Sequence, residues 1–351
     1  MKVLFLFNRV QKDSIAAVKA GRANDDHLYG LLRLPAAGIE ADYLEIEQIW
    51  PRGLCKFLRK YVLNVYWAHL PFFFRFRKYD VIFTSTAFGC QFLHTLYPFN
   101  KPKWVMLDFS ITGLIGERRT LRQKLFYWVV SWVAGIITID KDEETKLKAL
   151  FPDKAKAITF LSAALDTNFS RPLTGIDQEN IIFSPGRDPG RDFRTLFEAA
   201  RDLKQRVVLT TRPWTLKKLL PLPNFVEHGD FSQKEYNRAY AKARLVVIPL
   251  DIRGGFNNAM GCSTLVEAMA MGKAVIITRT PTTESYVTDG VNGLLVPPRN
   301  SAALRAAIQR IVADPDLAAT LGRNAREFAV THCSDEQYIP RLAEYFRKIV
   351  I

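Results

Sequence analysis

"RLVVIPLDIRGGFNNAMGCSTLVEAMAMGKAVIIT", residues 244–278, holds two short apolar runs with a loop and a helix-length stretch between them. The runs RLVVIPL (244–250) and KAVIIT (273–278) show no polar alternation. Strands buried on both faces read this way, and they belong to parallel sheets covered by helices. The loop carries Gly254, Gly255, Asn257, Asn258 and Gly261, residues that tolerate tight backbone. Strand, loop, helix, strand is the repeating unit of doubly wound α/β domains.

The same alternation runs along the chain. Further candidate strands lie at 2–8, 41–46, 80–85, 103–108, 135–140, 157–162, 180–186, 205–211, 224–229 and 292–297. That is too many for one comfortable sheet. The polar stretch SRPLTGIDQEN (170–180) has no periodicity and reads as a linker. The expected organisation is one doubly wound, Rossmann-like domain over 1–170 and a second over 171–335, facing each other across a cleft. Residues 336–351 form an amphipathic helix, with Ser334 and Asp335 as cap candidates, expected to pack back on the first domain.

At 351 residues and 48% hydrophobic content the chain can bury two cores. Cys55, Cys90, Cys262 and Cys333 are far apart and form no CxxC pair, which argues against a disulfide framework or zinc ribbon and for a reducing compartment. The start MKVLFLFNRV reads as a first buried strand, not a signal peptide. The longest apolar stretch, FYWVVSWVAGIITI (126–139), is shorter than the roughly 20 residues of a membrane helix and reads as a buried helix end followed by a strand. These features point to the cytoplasm.

The net charge of +14 calls for an anionic partner. From 51 to 79 there is no acidic residue, while Arg52, Lys56, Arg59, Lys60, Arg75, Arg77 and Lys78 interleave with aromatics. That composition suits peripheral contact with an anionic membrane surface, on the cytoplasmic face. The competing reading is a core helix with a solvated basic edge. Nucleic acid is the weakest fit.

Two places could hold an anion. Gly261 followed by Cys262, Ser263 and Thr264 opens a helix, with Ser263 or Thr264 as its cap. Such a start offers free N–H groups and the positive end of the helix dipole to a phosphate. Glu267 lies about one turn in, where its carboxylate can accept two hydrogen bonds from a vicinal diol such as a ribose; otherwise it merely suits the dipole. The second place is NIIFSPGRDPGRDF (180–193), where Gly186 and Arg187 follow a strand and Arg191 comes four residues on. Two arginines there can hold a diphosphate, or be ordinary surface arginines. The spacing is not that of a Walker A loop. Asp108 ends the strand KWVMLD, as a cleft residue or as the cap of the turn before SITG. Asp140 and Asp142 in DKD read as helix caps rather than metal ligands.

Taken together, these motifs resemble the donor-binding half of GT-B-fold retaining glycosyltransferases of family 4 (glycosyl transferases group 1). SPGRDPGRDFRTLFEAA and GCSTLVEAMAMGKAVI carry the resemblance, with ESYVTDGVNGLLVPPRNSAALRAAIQRI and LGRNAREFAVTHCS after them. GIITIDKDEETKLKALFP and ALDTNFSRP are similar to the family's interdomain segment, so the likeness covers about 130–345. It implies a retaining, metal-independent hexosyltransferase with no cofactor. The substrates would be a UDP- or GDP-sugar donor and a glycan or lipid-linked acceptor. By this resemblance Arg187 and Arg191 hold the diphosphate, Gly186 and the backbone of Gly261, Cys262, Ser263 and Thr264 complete its site, and Glu267 binds the ribose. His228 and Gly229 lie against the base, Asn257, Asn258 and Ala259 face the sugar, and Asp108 orients sugar or acceptor. The chain departs from the family at Ala259, eight residues before Glu267, where a first glutamate is usual; Asn257 or Asn258 is the candidate substitute. A sugar-nucleotide epimerase of the same architecture and an inactive nucleotide-sugar binder are the alternatives.

Overall fold

The structure, a computed structural model, describes residues 1–7, 10–45, 69–85, 88–96, 102–188, 190–254 and 259–351. It divides into one unit of Met1–Ser162 with Glu336–Ile351, and another of Ala163–Asp335.

The first unit is built on β1 (Lys2–Phe7), β2 (Glu40–Glu45), β3 (Val81–Thr84), β4 (Lys103–Asp108), β5 (Gly135–Thr138) and β6 (Ile158–Phe160). They pair in parallel in the order β2-β1-β3-β4-β5-β6. Helices α1 (Lys12–Lys19), α2 (Phe88–Leu96), α3 (Ile111–Ile115), α4 (Leu121–Ser131) and α5 (Lys141–Leu150) connect or flank the strands. Strands β3 and β5 are buried at every residue, Thr84 and Thr138 included, as central parallel strands require. Trp104, Phe72, Phe76, Met106, Val130 and Leu147 meet in one core. A large apolar side chain so buried contributes about 1.5–3 kcal/mol.

The second unit repeats the plan with β7 (Ile181–Pro185), β8 (Arg206–Thr210), β9 (Val226–His228), β10 (Leu245–Ile248), β11 (Val275–Thr278) and β12 (Leu294–Val296), all parallel, in the order β12-β11-β10-β7-β8-β9. Its helices include α6 (Phe193–Ala200), α7 (Gln233–Lys242), α8 (Cys262–Ala270), α9 (Ser301–Ala313) and α10 (Pro315–Phe328). The chain proceeds outward from β7 in one direction and from β10 in the other. The crevice of such a sheet opens where neighbouring strands part company, here at the carboxyl ends of β7 and β10.

The last helix, α11 (Asp335–Val350), lies against the first sheet. Tyr345 Oη donates to the Ala157 carbonyl at 2.6 Å, and Phe346 meets Phe83 edge-on at 5.4 Å. Gly135 is required there, because a Cβ would stand 2.0 Å from Tyr345 Oη.

Two expectations change. The 126–139 stretch does contain a helix end and a strand, and Val129 and Val130 are buried. Yet α4 also turns apolar side chains outward: Leu121 is 84% and Trp132 58% exposed. Periodicity marks a face but not its direction. Of the basic segment 51–79, residues 51–68 lie outside the described ones. The remainder forms a 3-10 helix, Leu70–Lys78, that buries Phe72 and Phe76 and exposes Phe74.

Candidate functional site

The loop after β7 and the loop after β10 are stitched together at the crevice. Asp192 N–H donates to the Pro249 carbonyl at 3.0 Å and Asp251 N–H to the Gly190 carbonyl at 2.8 Å. Gly186 closes β7 with φ +137°, its N–H bound to the Thr210 carbonyl at 3.0 Å. Only glycine fits here, because a Cβ would stand 2.1 Å from Arg191 Nη2. The Asp192 carboxylate accepts from Thr195 N–H at 3.2 Å and starts α6.

That geometry folds Arg191 inward. Its side chain is fully buried. Nη2 donates to Thr264 Oγ1 at 2.9 Å and to Asp188 at 3.2 Å. Nε and Nη1 are buried with no hydrogen-bond partner among the described residues. Burial lowers the guanidinium pKa from its usual value, with Asp188 opposing. A cation with vacant buried donors is costly unless an anion meets it.

Helix α8 starts beside it. Its N-cap is Gly261, at φ +80°, and no side chain caps it. This corrects the expected Ser263 or Thr264 cap: Ser263 is exposed, and the Thr264 hydroxyl accepts from Arg191 instead. Cys262 N–H bonds the Ala259 carbonyl at 3.1 Å. Ser263 and Thr264 follow in the first turn, where a helix has no acceptors of its own for N–H groups. Arg191 and the positive end of α8 therefore face one spot.

Glu267, half-buried one turn on, accepts from Tyr240 Oη at 3.3 Å. Tyr236 meets the Tyr240 ring edge-on at 5.2 Å. Burial, then the Glu267 charge, raises both phenols well above their usual pKa, so they stay neutral donors. Tyr236 and Tyr240 were missed in the sequence. Their signal is the i, i+4 tyrosine pair in EYNRAYAKA, just before strand β10.

The other expected residues are placed less uniformly. Arg187 is 64% exposed and reaches Asp230 at 3.3 Å, so its surroundings differ from those of Arg191. His228 ends β9 and donates from Nε2 to the Thr211 carbonyl at 2.8 Å, which fixes its tautomer. Gly229 packs so close to Phe231 that a Cβ would meet its ring at 2.3 Å. Ala259 is half-buried, while Asn257 and Asn258 lie outside the described residues.

In the first unit Asp108 is buried, and Oδ1 accepts from Ser110 N–H at 2.7 Å and Ile111 N–H at 2.6 Å. It caps α3. Asp140 caps α5 by accepting from Asp142 N–H at 2.8 Å and Glu143 N–H. Among the described residues no three His, Cys, Asp or Glu side chains are grouped to hold a metal.

Residues 167–328 match the family described as "Glycosyl transferases group 1". The matched segment lies within the second unit and contains the β7–α6 loop, the α7 tyrosines and α8. An uncharacterized glycosyltransferase of Methanocaldococcus jannaschii is 24% identical over 159 residues, a match that covers 43% of this chain and 39% of that protein. The Anabaena HepE structure in complex with UDP-glucose has a TM-score of 0.73 at 17% identity, covering 99% of this chain and 100% of that one. Sucrose-phosphate synthase of Thermosynechococcus elongatus has a TM-score of 0.72 at 19% identity, covering 99% of each chain. These likenesses show the fold, α/β with two parallel sheets, of GT-B architecture.

Proposed function

We propose that the protein is a retaining, metal-independent glycosyltransferase that moves a hexose from a nucleotide-diphosphate sugar to an acceptor hydroxyl. One observation carries this: among the described residues the buried Arg191 Nε and Nη1 have no hydrogen-bond partner, and the start of α8 beside them has no side-chain cap. A pyrophosphate would meet both. As the bond from sugar C1 to the phosphate oxygen breaks, its electron pair goes to the diphosphate. Preorganised donors there stabilise the charge that develops. The acceptor oxygen bonds to C1 on the face the leaving group departs, and its proton passes to the departing phosphate oxygen. Arg187, exposed beside Asp230, holds the diphosphate from the solvent side. Glu267, held by Tyr240, accepts from the ribose hydroxyls, and the turn at His228 and Gly229 lies against the base. Asn257, Asn258 and Ala259 face the sugar. UDP-glucose is bound by the HepE relative, which favours a UDP-sugar over a GDP-sugar donor. The +14 charge favours an acceptor at an anionic membrane surface, such as a lipid-linked glycan.

UDP-, GDP- and ADP-sugars are screened by thermal shift, and the best donor is incubated with and without acceptor glycans. Nuclear magnetic resonance of the product should show the anomeric configuration of the donor. An inverted product overturns retention, conversion of the sugar without acceptor identifies an epimerase, and tight binding without turnover identifies an inert binder.

A further inference from the structure

Helix α4 carries two apolar faces. Val129 and Val130 enter the core of the first unit. Leu121, Leu125, Trp128 and Trp132 recur at steps of four, three and four residues, which puts them on one side of the helix. Leu121 is 84% exposed, Leu125 41% and Trp132 58%. Trp128 is half-buried and meets Phe92 of α2 edge-on at 5.9 Å. Leu96 of α2 is 59% exposed. Single exposed leucines need no explanation, but a solvent-facing stripe over three helical turns does.

The charge around the stripe has one sign. No acidic residue occurs between Glu117 and Asp140. Arg118, Arg122 and Lys124 are exposed, and among the described residues none is paired with a carboxylate. The Arg118 guanidinium lies 4.9 Å from the Tyr127 ring centroid and Arg122 lies 5.3 Å from that of Phe126. On the helix, Arg122 and Lys124 fall on opposite sides of the stripe. A second copy docked here about a two-fold axis would bring these cations against themselves. An anionic bilayer offers what the surface lacks: hydrocarbon for the leucine and tryptophan side chains, and phosphate for the cations flanking them.

We infer that the α4 stripe is a docking face for a bilayer containing anionic lipid, with Leu121, Leu125 and Trp132 entering the headgroup boundary. This deepens the membrane-surface reading above and rests on it for the acceptor's location, but the docking itself needs no sugar donor.

The test uses the full chain and two kinds of vesicle, phosphatidylcholine alone and phosphatidylcholine mixed with phosphatidylglycerol. Cosedimentation at low salt should favour the mixed vesicles. Replacing Arg118, Arg122 and Lys124 together with glutamine should lower partitioning roughly 100-fold, at about fivefold for each cation near the surface. Leu121→Ser with Leu125→Ser and Trp132→Ser should lower it about tenfold or more. In each variant the thermal shift given by UDP should persist, which shows an intact fold and separates loss of docking from loss of the donor site. Equal binding to both vesicles overturns the inference. So does a loss caused by neutralising Arg52, Lys56, Arg59 and Lys60 while the α4 variants still bind. A wild-type dimer that the α4 substitutions dissociate assigns the face to a second copy, and salt-sensitive RNA binding lost in the same variants assigns it to nucleic acid.

Discussion

Replacing Arg191 with methionine separates a binding residue from a structural one. The substitution keeps an unbranched stem of similar reach and removes the guanidinium. In the free protein that group is fully buried, and among the described residues Nε and Nη1 have no hydrogen-bond partner. Each unmet buried donor costs about 1–3 kcal/mol. Against this stand the bond to Thr264 at 2.9 Å and the contact with Asp188 at 3.2 Å, about 1 kcal/mol each. Two such donors cost about 2–6 kcal/mol against about 2 kcal/mol of bonding, so the free variant should melt no lower than the wild type, gaining up to about 4 kcal/mol.

Nucleotide binding changes in the other direction. Loss of a strong donor to a diphosphate should weaken affinity and turnover about 100-fold or more, roughly 3 kcal/mol. With UDP at 100 times the wild-type Kd, the wild type gains about 2.7 kcal/mol. In a unit of this size that is roughly 5–10 °C of Tm. A variant with 100-fold weaker binding gains only about 0.4 kcal/mol, or about 1 °C. Differential scanning fluorimetry with and without UDP reads both quantities in one experiment. An undiminished UDP shift would refute the diphosphate assignment. A free variant destabilised by more than about 4 kcal/mol would instead make Arg191 the clamp between the two loops.

Three further substitutions probe its surroundings and the buried titratable groups. Tyr240→Phe deletes the donor to Glu267 at 3.3 Å, and calorimetry should show about fivefold weaker nucleotide binding, roughly 1 kcal/mol, with little change in Tm; unchanged affinity removes Glu267 from the ribose. Lys273 donates to the Ala241 and Ala243 carbonyls at 2.9 and 2.8 Å, and burial lowers its pKa from 10.5 to about 8. Between those values the unfolded chain keeps the proton and the native state has lost it, so stability rises with pH by up to about 1.4 kcal/mol per unit; Lys273→Met should abolish that slope in urea titrations, and parallel slopes would refute the assignment. Asp108 is raised well above 3.8 by burial first and Glu143 second, so above pH 3.8 the native state holds a proton that the unfolded chain has released, and stability falls as pH rises. Asp108→Asn keeps the Oδ1 cap and should gain stability over the wild type as pH rises, with turnover unchanged; a roughly 100-fold loss of turnover at unaltered Tm would give Asp108 an acid–base task.

The sheets were legible because their strands are buried on both faces, so runs such as VVI and VII needed no partner information to be recognised. Every candidate strand has a counterpart in β1–β12, the ends shifting by a residue or two. Caps were less legible. Asp140 and Asp192 cap as short acidic residues do, but at α8 Gly261 takes the N-cap position and leaves it without a side chain. A hydroxyl at a helix start has two possible tasks, and only the position of Arg191 shows which one Thr264 performs.

The least legible feature was the inward turn of Arg191, although its cause is written in the sequence. Gly186 lacks a Cβ where the guanidinium passes, and Gly190 N-terminal to Arg191 is held by Asp251 N–H at 2.8 Å. Of the two glycines flanking RDP, Gly186 clears a path for Arg191, while Gly190 makes room for Met260, whose Sδ a Cβ would meet at 2.0 Å. Whether a guanidinium then lies in solvent or under the sheet's edge depends on loops from β7 and β10 that are about sixty residues apart in the chain, and local pattern carries nothing over that distance. Arg187, four positions earlier and chemically identical, is exposed beside Asp230. The two arginines that spacing alone made equivalent are therefore distinguished by burial: one is enclosed and bonded to Thr264 and Asp188, and the other is exposed.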